Sequence, residues 1–410
     1  MHNTSKIVSN NKIFSWLLGS VFLDHLSLNT VTPILTLVFF DLTSPLFLPD
    51  ASLLTRSLWY GCMASLYHIS NIIATPLLGV ISDHSGRRFI LMLGAVGALL
   101  MACSGVLSIG FGLVSLLLFG RLIGGLCATR AVSQAAVSDL PTQSSKLAQM
   151  GYLQATIAFA AFAAPLLGSY AAQHSPSSPV NFSAPFYLAA FIALLSLWIV
   201  IAKLPETHHE RAPYQLKVLL RNTRKNFLRR DILHISLLMF FSQAGWSLYY
   251  QYIPPILKKD FNFSVTQLGW FISLIALWLV LAASVGMKFL HKRMSPLGII
   301  QLASWISLAG LVMTLAALHF QHLEHYSFLW LAALPVAAGD VLAYSVFTSL
   351  YANAASPREQ GLVMGVCVIV AQTVWALTGI IGGALFGIHI SLPIWIAVFS
   401  IVILLILLRR

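Results

Sequence analysis

Apolar residues run in stretches of bilayer length along almost the whole chain, and polar residues gather in the short gaps between them. A helix rising about 1.5 Å per residue needs about 20 apolar residues to cross a hydrocarbon core about 30 Å thick. Stretches of that kind occupy residues 14–40, 57–81, 88–108, 112–138, 148–172, 184–203, 232–257, 267–287, 296–318, 327–355, 360–385 and 390–408. The pattern predicts an all-α membrane protein with twelve spanning helices. The first stretch is too long for a signal-peptide core and carries Asp24 and Pro33, so it reads as a retained helix.

The longest polar gap, residues 204–231, divides the helices into two sets of six. The expected organisation is a six-helix bundle over 1–205, a linker over 206–231 and a second six-helix bundle over 232–410. In the linker, Leu216, Leu219, Leu220 and Phe227 share one helical face, and Lys217, Arg221, Arg224 and Lys225 share another. That predicts an amphipathic helix on a membrane surface. The two sets look like weak copies of one another, with Gly79 and Gly286 each following a second helix.

Composition agrees with this pattern. The 410 residues are 58% apolar and 9% charged, against about 25% charged in soluble domains. The net charge of +12 could suggest nucleic-acid binding, but the basic residues sit in loops between apolar stretches. Nineteen lysines and arginines fall on one side of the predicted membrane. Three (Arg56, Lys258 and Lys259) fall on the other, and Arg121 and Arg130 lie within the fourth helix. By the positive-inside rule both termini are cytoplasmic, and the chain is expected in a bacterial inner membrane. Cys62, Cys103, Cys127 and Cys367 lie in predicted helices with no CxxC spacing, so neither a disulfide framework nor a cysteine metal site is expected.

One loop is more specific than all of this. Residues 79–91 read GVISDHSGRRFIL between the second and third stretches. Gly79, Asp83, Gly86, Arg87 and Arg88 match the pattern GxLaDrxGrrxxl. Arg121 and Gly125 match RxxxG in the fourth helix, which ends at Asp139. Pro165 and Gly168 keep part of GxxxGPxxGG in the fifth helix, with Ala160, Ala164 and Ser169 in place of glycines. LPET at 204–207 closes the first half. With these motifs the chain resembles the major facilitator superfamily, in particular its twelve-helix, tetracycline-efflux-like drug–proton antiporters. The resemblance implies two pseudo-symmetric bundles around a central cavity that opens alternately to each side. It also implies that Asp83 faces the start of the eleventh helix, near Gln360 and Gly361, in a latch that closes the cytoplasmic side of the outward-open state. Arg87 is expected to bridge Asp83 and Asp139.

Charges buried in a bilayer are costly and usually functional. At about 1.5 Å per residue, Asp24 and Arg121 both lie near the midplane, so a pair between them is expected to couple transport to protons; a static salt bridge is the alternative. Asp340 in the tenth helix could take a proton, bind a cationic group, or cap a contact through Tyr344 or Ser345. Arg130 could snorkel to the interface, pair with Asp139 or face the cavity. His25 could shuttle protons or serve in packing, and His68 likewise. Gln243, Trp246, Tyr249, Tyr250, Trp278, Gln372 and Trp375 are candidate cavity residues, joining Asp24, His25, Arg121, Arg130 and Asp340. His319, His322, Glu324 and His325 read as a solvated loop rather than a metal site.

The expected function is proton-coupled export of an amphipathic small molecule such as a drug, metabolite or siderophore. Proton symport of a nutrient or metal-chelate, possibly carboxylate-bearing, is the alternative. No HExxH, GxSxG or paired acids on one helix suggests an enzyme. No cofactor or nucleic-acid partner is expected, and the chain is expected to work as a monomer in contact with lipid.

Overall fold

The computed structural model describes residues 2–140, 146–175, 178–207, 221, 223, 225–320, 327–355 and 360–409. Among the described residues, eleven helices are long and apolar enough to span a membrane: α1 Asn11–Phe40, α2 Leu53–Ser85, α3 Arg87–Phe111, α4 Val114–Asp139, α5 Ala148–Ala171, α6 Ala184–Lys203, α7 Arg230–Phe261, α8 Val265–Leu290, α9 Pro296–His319, α10 Ser327–Asn353 and α11 Leu362–Ile388. The shorter α12, Leu392–Leu407, completes twelve. A short antiparallel hairpin, Gln173–Ser175 with Ser178–Val180, follows α5 and is the one departure from an all-helical pattern among the described residues. The amphipathic surface of the linker lies almost wholly outside the described residues, as does most of the 319–325 histidine run.

Three helices are interrupted. α1 breaks at Val31, just ahead of Pro33, whose ring removes a backbone donor and crowds the preceding turn. α8 carries a π-turn over Ala282–Gly286. α4 breaks over Cys127–Thr129, with no proline there. This break fits because α3 presents glycines to it: a Cβ on Gly94 would lie 2.1 Å from Thr129 Cγ2, and one on Gly97 would lie 2.2 Å from Cys127 Cβ.

The two six-helix bundles, α1–α6 and α7–α12, meet tightly at one end. There α2 packs on α11 through small residues, which let membrane helices approach closely. A Cβ on Gly61 would fall 2.4 Å from Gly379 O, and one on Gly383 would fall 2.5 Å from Ser57 O. α5 packs on α8 in the same way, with Gly269 against Ser169 and the Pro165 carbonyl, while Gly168 abuts the Thr30 carbonyl of α1. Aromatic rings interlock across the seam: Phe40 meets Phe386 at 5.3 Å and Tyr60 meets Tyr252 at 5.8 Å between centroids.

Polar clamps reinforce this closed end. Lys258 Nζ lies 2.7 Å from Asp41 Oδ2, with both side chains about 15% exposed or less. Tyr60 donates to the Gln251 carbonyl (2.8 Å), Ser65 to the Ala376 carbonyl (2.6 Å) and Gln173 to Thr266 Oγ1 (2.8 Å). Arg56, buried, ties down the chain leaving α1 by donating to the carbonyls of Phe39, Asp41, Leu48 and Ala51. Burial alone would raise the Asp41 carboxyl, but its bonds from Lys258 and Thr43 outweigh that and hold it below the usual range.

The opposite end stands open. A Cβ on Gly79, Gly151 or Gly365 would meet nothing within 4 Å. This is the end that carries the 79–91 elbow.

Candidate functional site: a central cavity between the bundles

Between the closed seam and the open end lies a cavity of about 590 Å³ lined from both bundles. α1 contributes Asp24, His25, Asn29 and Thr36; α2 contributes Tyr60, Tyr67, His68 and Asn71; α4 contributes Arg121 and Arg130. From the other bundle come Gln243, Trp246, Tyr250 and Gln251 of α7, Asp340 and Tyr344 of α10, and Gln372 and Trp375 of α11. The wall is thus a few placed polar groups among aromatic rings, the usual make-up of a small-molecule pocket.

Ten of the twelve residues put forward from sequence as cavity residues line this space. Tyr249 and Trp278 do not. Tyr249 is fully buried in the core of the second bundle, and Trp278 packs against that same core. The reason is helical geometry. Successive residues on a helix are about 100° apart, so turning Tyr250 into the cavity turns Tyr249 away from it.

The expected pair between Asp24 and Arg121 is not formed. Asp24 instead accepts from the Thr129 hydroxyl at 3.3 Å. Arg121 donates to Met63 Sδ at 3.1 Å and lies over the Tyr67 ring, 5.8 Å from its centroid. Asp24 meets α4 at Thr129, eight residues beyond Arg121, where the helix breaks and Thr129 packs against Gly94 of α3. Arg130 neither pairs with Asp139 nor withdraws from the interior. It is exposed on the cavity wall, while Asp139 pairs with Arg87.

Asp340 is held by a different partner from those expected. It accepts from Gln243 Nε2 at 2.8 Å, and Gln243 Oε1 accepts from Trp375 Nε1 at 3.3 Å. Ser345 donates to the Val341 carbonyl within its own helix. A hydrogen-bonded ladder from α11 through α7 to α10 therefore orients the one acid of this wall. His25 Nδ1 sits 3.1 Å from the Val21 carbonyl of the preceding turn. His68 is hydrogen-bonded and packed: its Nδ1 lies 2.5 Å from Gln372 Oε1, and its ring stands 5.2 Å from that of Trp375, so it joins the bundles at the cavity roof. Asn29, Asn71 and Gln251 also reach the cavity; the sequence signal was an amide within an apolar stretch.

At the open end the elbow forms a compact charge cluster. Arg87 donates to Asp83 Oδ1 (2.5 Å), Asp139 Oδ2 (3.0 Å) and Ser82 Oγ (2.9 Å). Asp83 is about half exposed there. Gly361 lies within a helical segment, but its surroundings lie outside the described residues. Glu206 of LPET accepts from the backbone N–H groups of Arg87 (2.8 Å) and Arg88 (3.2 Å), filling the N-terminus of α3 where orphan donors favour an anion. Gly86 makes room: its φ is 104°, and a Cβ would sit 2.2 Å from Glu206 Oε2. Arg88 reaches the carbonyls of Val200 and Ile201. Sequence reasoning saw the LPET stretch but not this role for Glu206.

Comparison with known proteins places this geometry. The family model described as Major Facilitator Superfamily matches residues 17–380. The class B tetracycline resistance protein of Escherichia coli is 26% identical over 352 residues, covering 82% of this chain and 80% of that protein. The quinolone resistance protein NorA of Staphylococcus aureus (strain MRSA252) is 25% identical over 393 residues, covering 95% and 93%. Among solved structures, a D-xylose–proton symporter superposes with a TM-score of 0.75 at 15% identity, covering 98% of each chain. A bacterial homologue of the iron transporter ferroportin, in an inward-facing state, superposes with a TM-score of 0.73 at 14% identity, covering 97% of this chain and 99% of that one.

Proposed function

Because the chain belongs to the Major Facilitator Superfamily, whose members are transporters rather than enzymes, we propose that it exports an amphipathic small molecule in exchange for protons, by alternating access. One observation carries the reading: two membrane-embedded carboxylates, Asp24 and Asp340, face one cavity from opposite bundles. Among the described residues each accepts a hydrogen bond from a neutral donor, Asp24 from Thr129 and Asp340 from Gln243. Whether a buried carboxyl keeps its proton depends on which charges and donors face it. A rocking motion that exchanges those neighbours would therefore load and release protons. Arg121 is the group placed to bias Asp24, not as a fixed partner but as one that approaches and leaves.

In this reading the bundles divide at 1–205 and 232–410 about the 206–231 linker. The basic open end is cytoplasmic, both termini lie on that side of a bacterial inner membrane, and the structure is an inward-facing state of a monomer. Gly79, Asp83, Gly86, Arg87, Arg88, Asp139 and Gly361 then serve the opposite state, in which this end closes. Pro165 of α5 belongs to the seam that must part, and Gly168 seats α5 on α1 within the first bundle. The similarity to tetracycline and quinolone resistance proteins favours efflux. The two guanidinium groups on the cavity wall favour a second reading, proton symport of a carboxylate-bearing nutrient or metal-chelate.

Reconstitution into vesicles with an internal pH-sensitive dye tests this. Addition of a cargo drawn from an amphipathic panel should move protons against the cargo's direction. Co-directional movement would replace antiport by symport, and ligand flux without any proton movement would remove coupling altogether.

A further inference from the structure

Charge is distributed unevenly over the cavity. The α4 wall presents Arg121 and Arg130, and among the described residues Arg121 bonds a thioether sulfur, with an aromatic face beside it. Neither contact is anionic, and both are soft enough to give way to a better acceptor. Asp24 on α1 already takes a hydroxyl from Thr129. Across the cavity, Asp340 is oriented by the Gln243–Trp375 ladder and has no cationic partner among the described residues. Between these poles the lining is aromatic: Trp246 and Tyr250 lie 5.3 Å apart, and Tyr250 lies 5.8 Å from Trp375. Buried guanidinium and carboxylate groups left without ionic partners are costly, and a ligand that supplies both partners relieves that cost.

We propose that the cavity selects amphoteric aromatic cargo, with the ligand's carboxylate toward Arg121 and Arg130 and its cationic end toward Asp340. This rests on the reading of the cavity as the cargo site, but not on proton coupling or on the direction of transport. The aromatic body would lie against Trp246, Tyr250 and Trp375, whose ring faces also attract a delocalised cation. A guanidinium pairs with a carboxylate through parallel hydrogen bonds, so esterifying the carboxylate should remove most of the contribution of the α4 wall.

Three dyes on one skeleton separate the poles: rhodamine 110, which carries a carboxylate and a cationic xanthene; rhodamine 123, its methyl ester; and fluorescein, which is anionic only. Equilibrium binding to the purified full-length protein in nanodiscs is read by fluorescence anisotropy, without any gradient. Rhodamine 110 should bind at least about tenfold more tightly than either of the other two. Arg121→Gln should weaken rhodamine 110 about tenfold and leave rhodamine 123 unchanged. Asp340→Asn should weaken both rhodamines and spare fluorescein. Should Arg121→Gln fail to fold, Arg130→Gln, on the exposed cavity wall, provides the same contrast between rhodamine 110 and its ester. Equal affinity for rhodamine 110 and its ester, equal loss of both in the arginine variants, or no binding of rhodamine 110 to folded protein would each overturn the proposal. Failure of the vesicle experiment would leave this binding pattern intact, so the two claims fail separately.

Discussion

The Asp41–Lys258 pair is expected to set how often the closed end opens. It spans the seam between α1 and α7 at 2.7 Å, with both side chains largely shielded from water. A charge-assisted hydrogen bond in such a setting contributes about 1.5–3 kcal/mol. At about 1.4 kcal/mol per decade, its loss should raise the population open at that end by about 10- to 100-fold. The rest of the seam, the Phe40–Phe386 and Tyr60–Tyr252 contacts and the Gly61–Gly379 approach, would still favour closure. A cysteine placed at Thr36, buried and lining the cavity roof, reports the opening. In a background lacking Cys62, Cys103, Cys127 and Cys367, an impermeant maleimide is applied from the closed-end side only, and the labelling rate is followed. Asp41→Asn and Lys258→Met should each raise that rate by about tenfold or more, and the exchange Asp41→Lys with Lys258→Asp should restore much of it. The effects of the single variants should not add in the double variant. Unchanged labelling in both single variants, or strictly additive effects, would refute the assignment of this pair as a clamp.

Four other outcomes follow from the same geometry. The Asp41 carboxyl is held below its usual range, so its stabilising contribution is fully present above its unfolded value of about 3.9 and is lost as pH falls through the lower folded value. The difference in melting temperature between wild type and Asp41→Asn should therefore stay constant from pH 8 to 5 and shrink only below about pH 4. Gly61→Val places new atoms against the Gly379 backbone oxygen, which no rotamer change can avoid; it should lower the melting temperature and speed labelling at Thr36→Cys, and an unaltered protein would contradict the seam. Gly79→Leu has open space in this state, so stability should be preserved while transport falls at least tenfold because the open end can no longer close; full transport would show that Gly79 never enters a contact. Gly86→Ala combines a φ of 104° with a collision against Glu206 and should reduce folded yield, by about 1–3 kcal/mol of destabilisation in a melting assay, whereas Asp83→Asn should fold normally and lower the transport rate.

The parts of the fold that were legible in the sequence are those set by one-dimensional patterns. Stretch length gave the spanning helices, the long polar gap gave their grouping, and the elbow residues gave the Arg87 cluster, because those partners lie close in sequence or end adjacent helices. Depth along the membrane normal was read only coarsely: Asp24, Arg121 and Asp340 all line the cavity, but Asp24 and Arg121 meet different stretches of their neighbours. Azimuth was not readable. Asp24 and Arg121 do not meet: Asp24 bonds Thr129, eight residues beyond Arg121 along α4, while Arg121 bonds Met63 of α2, and α4 breaks over Cys127–Thr129 without a proline to announce it. The only traces of that break were Gly94 and Gly97 in another helix. Tyr249 and Trp278 were misplaced for the same reason, one step of about 100° round their helices. Glu206 was missed because its partners are backbone N–H groups 118 and 119 residues away, which leave no side-chain signature.

The central claim is that neutralising the embedded acids tips the bundles between two mutually exclusive openings. Pulsed dipolar spectroscopy on two spin-label pairs in nanodiscs tests it most directly, with Leu48 and Lys259 reporting the closed end and Ser85 and Lys292 the open end, all at exposed or loop positions. Asp24→Asn and Asp340→Asn should redistribute both pairs reciprocally, the distance at one end lengthening as that at the other shortens. Distances that stay fixed, or that lengthen at both ends together, would contradict alternating access driven by these carboxylates.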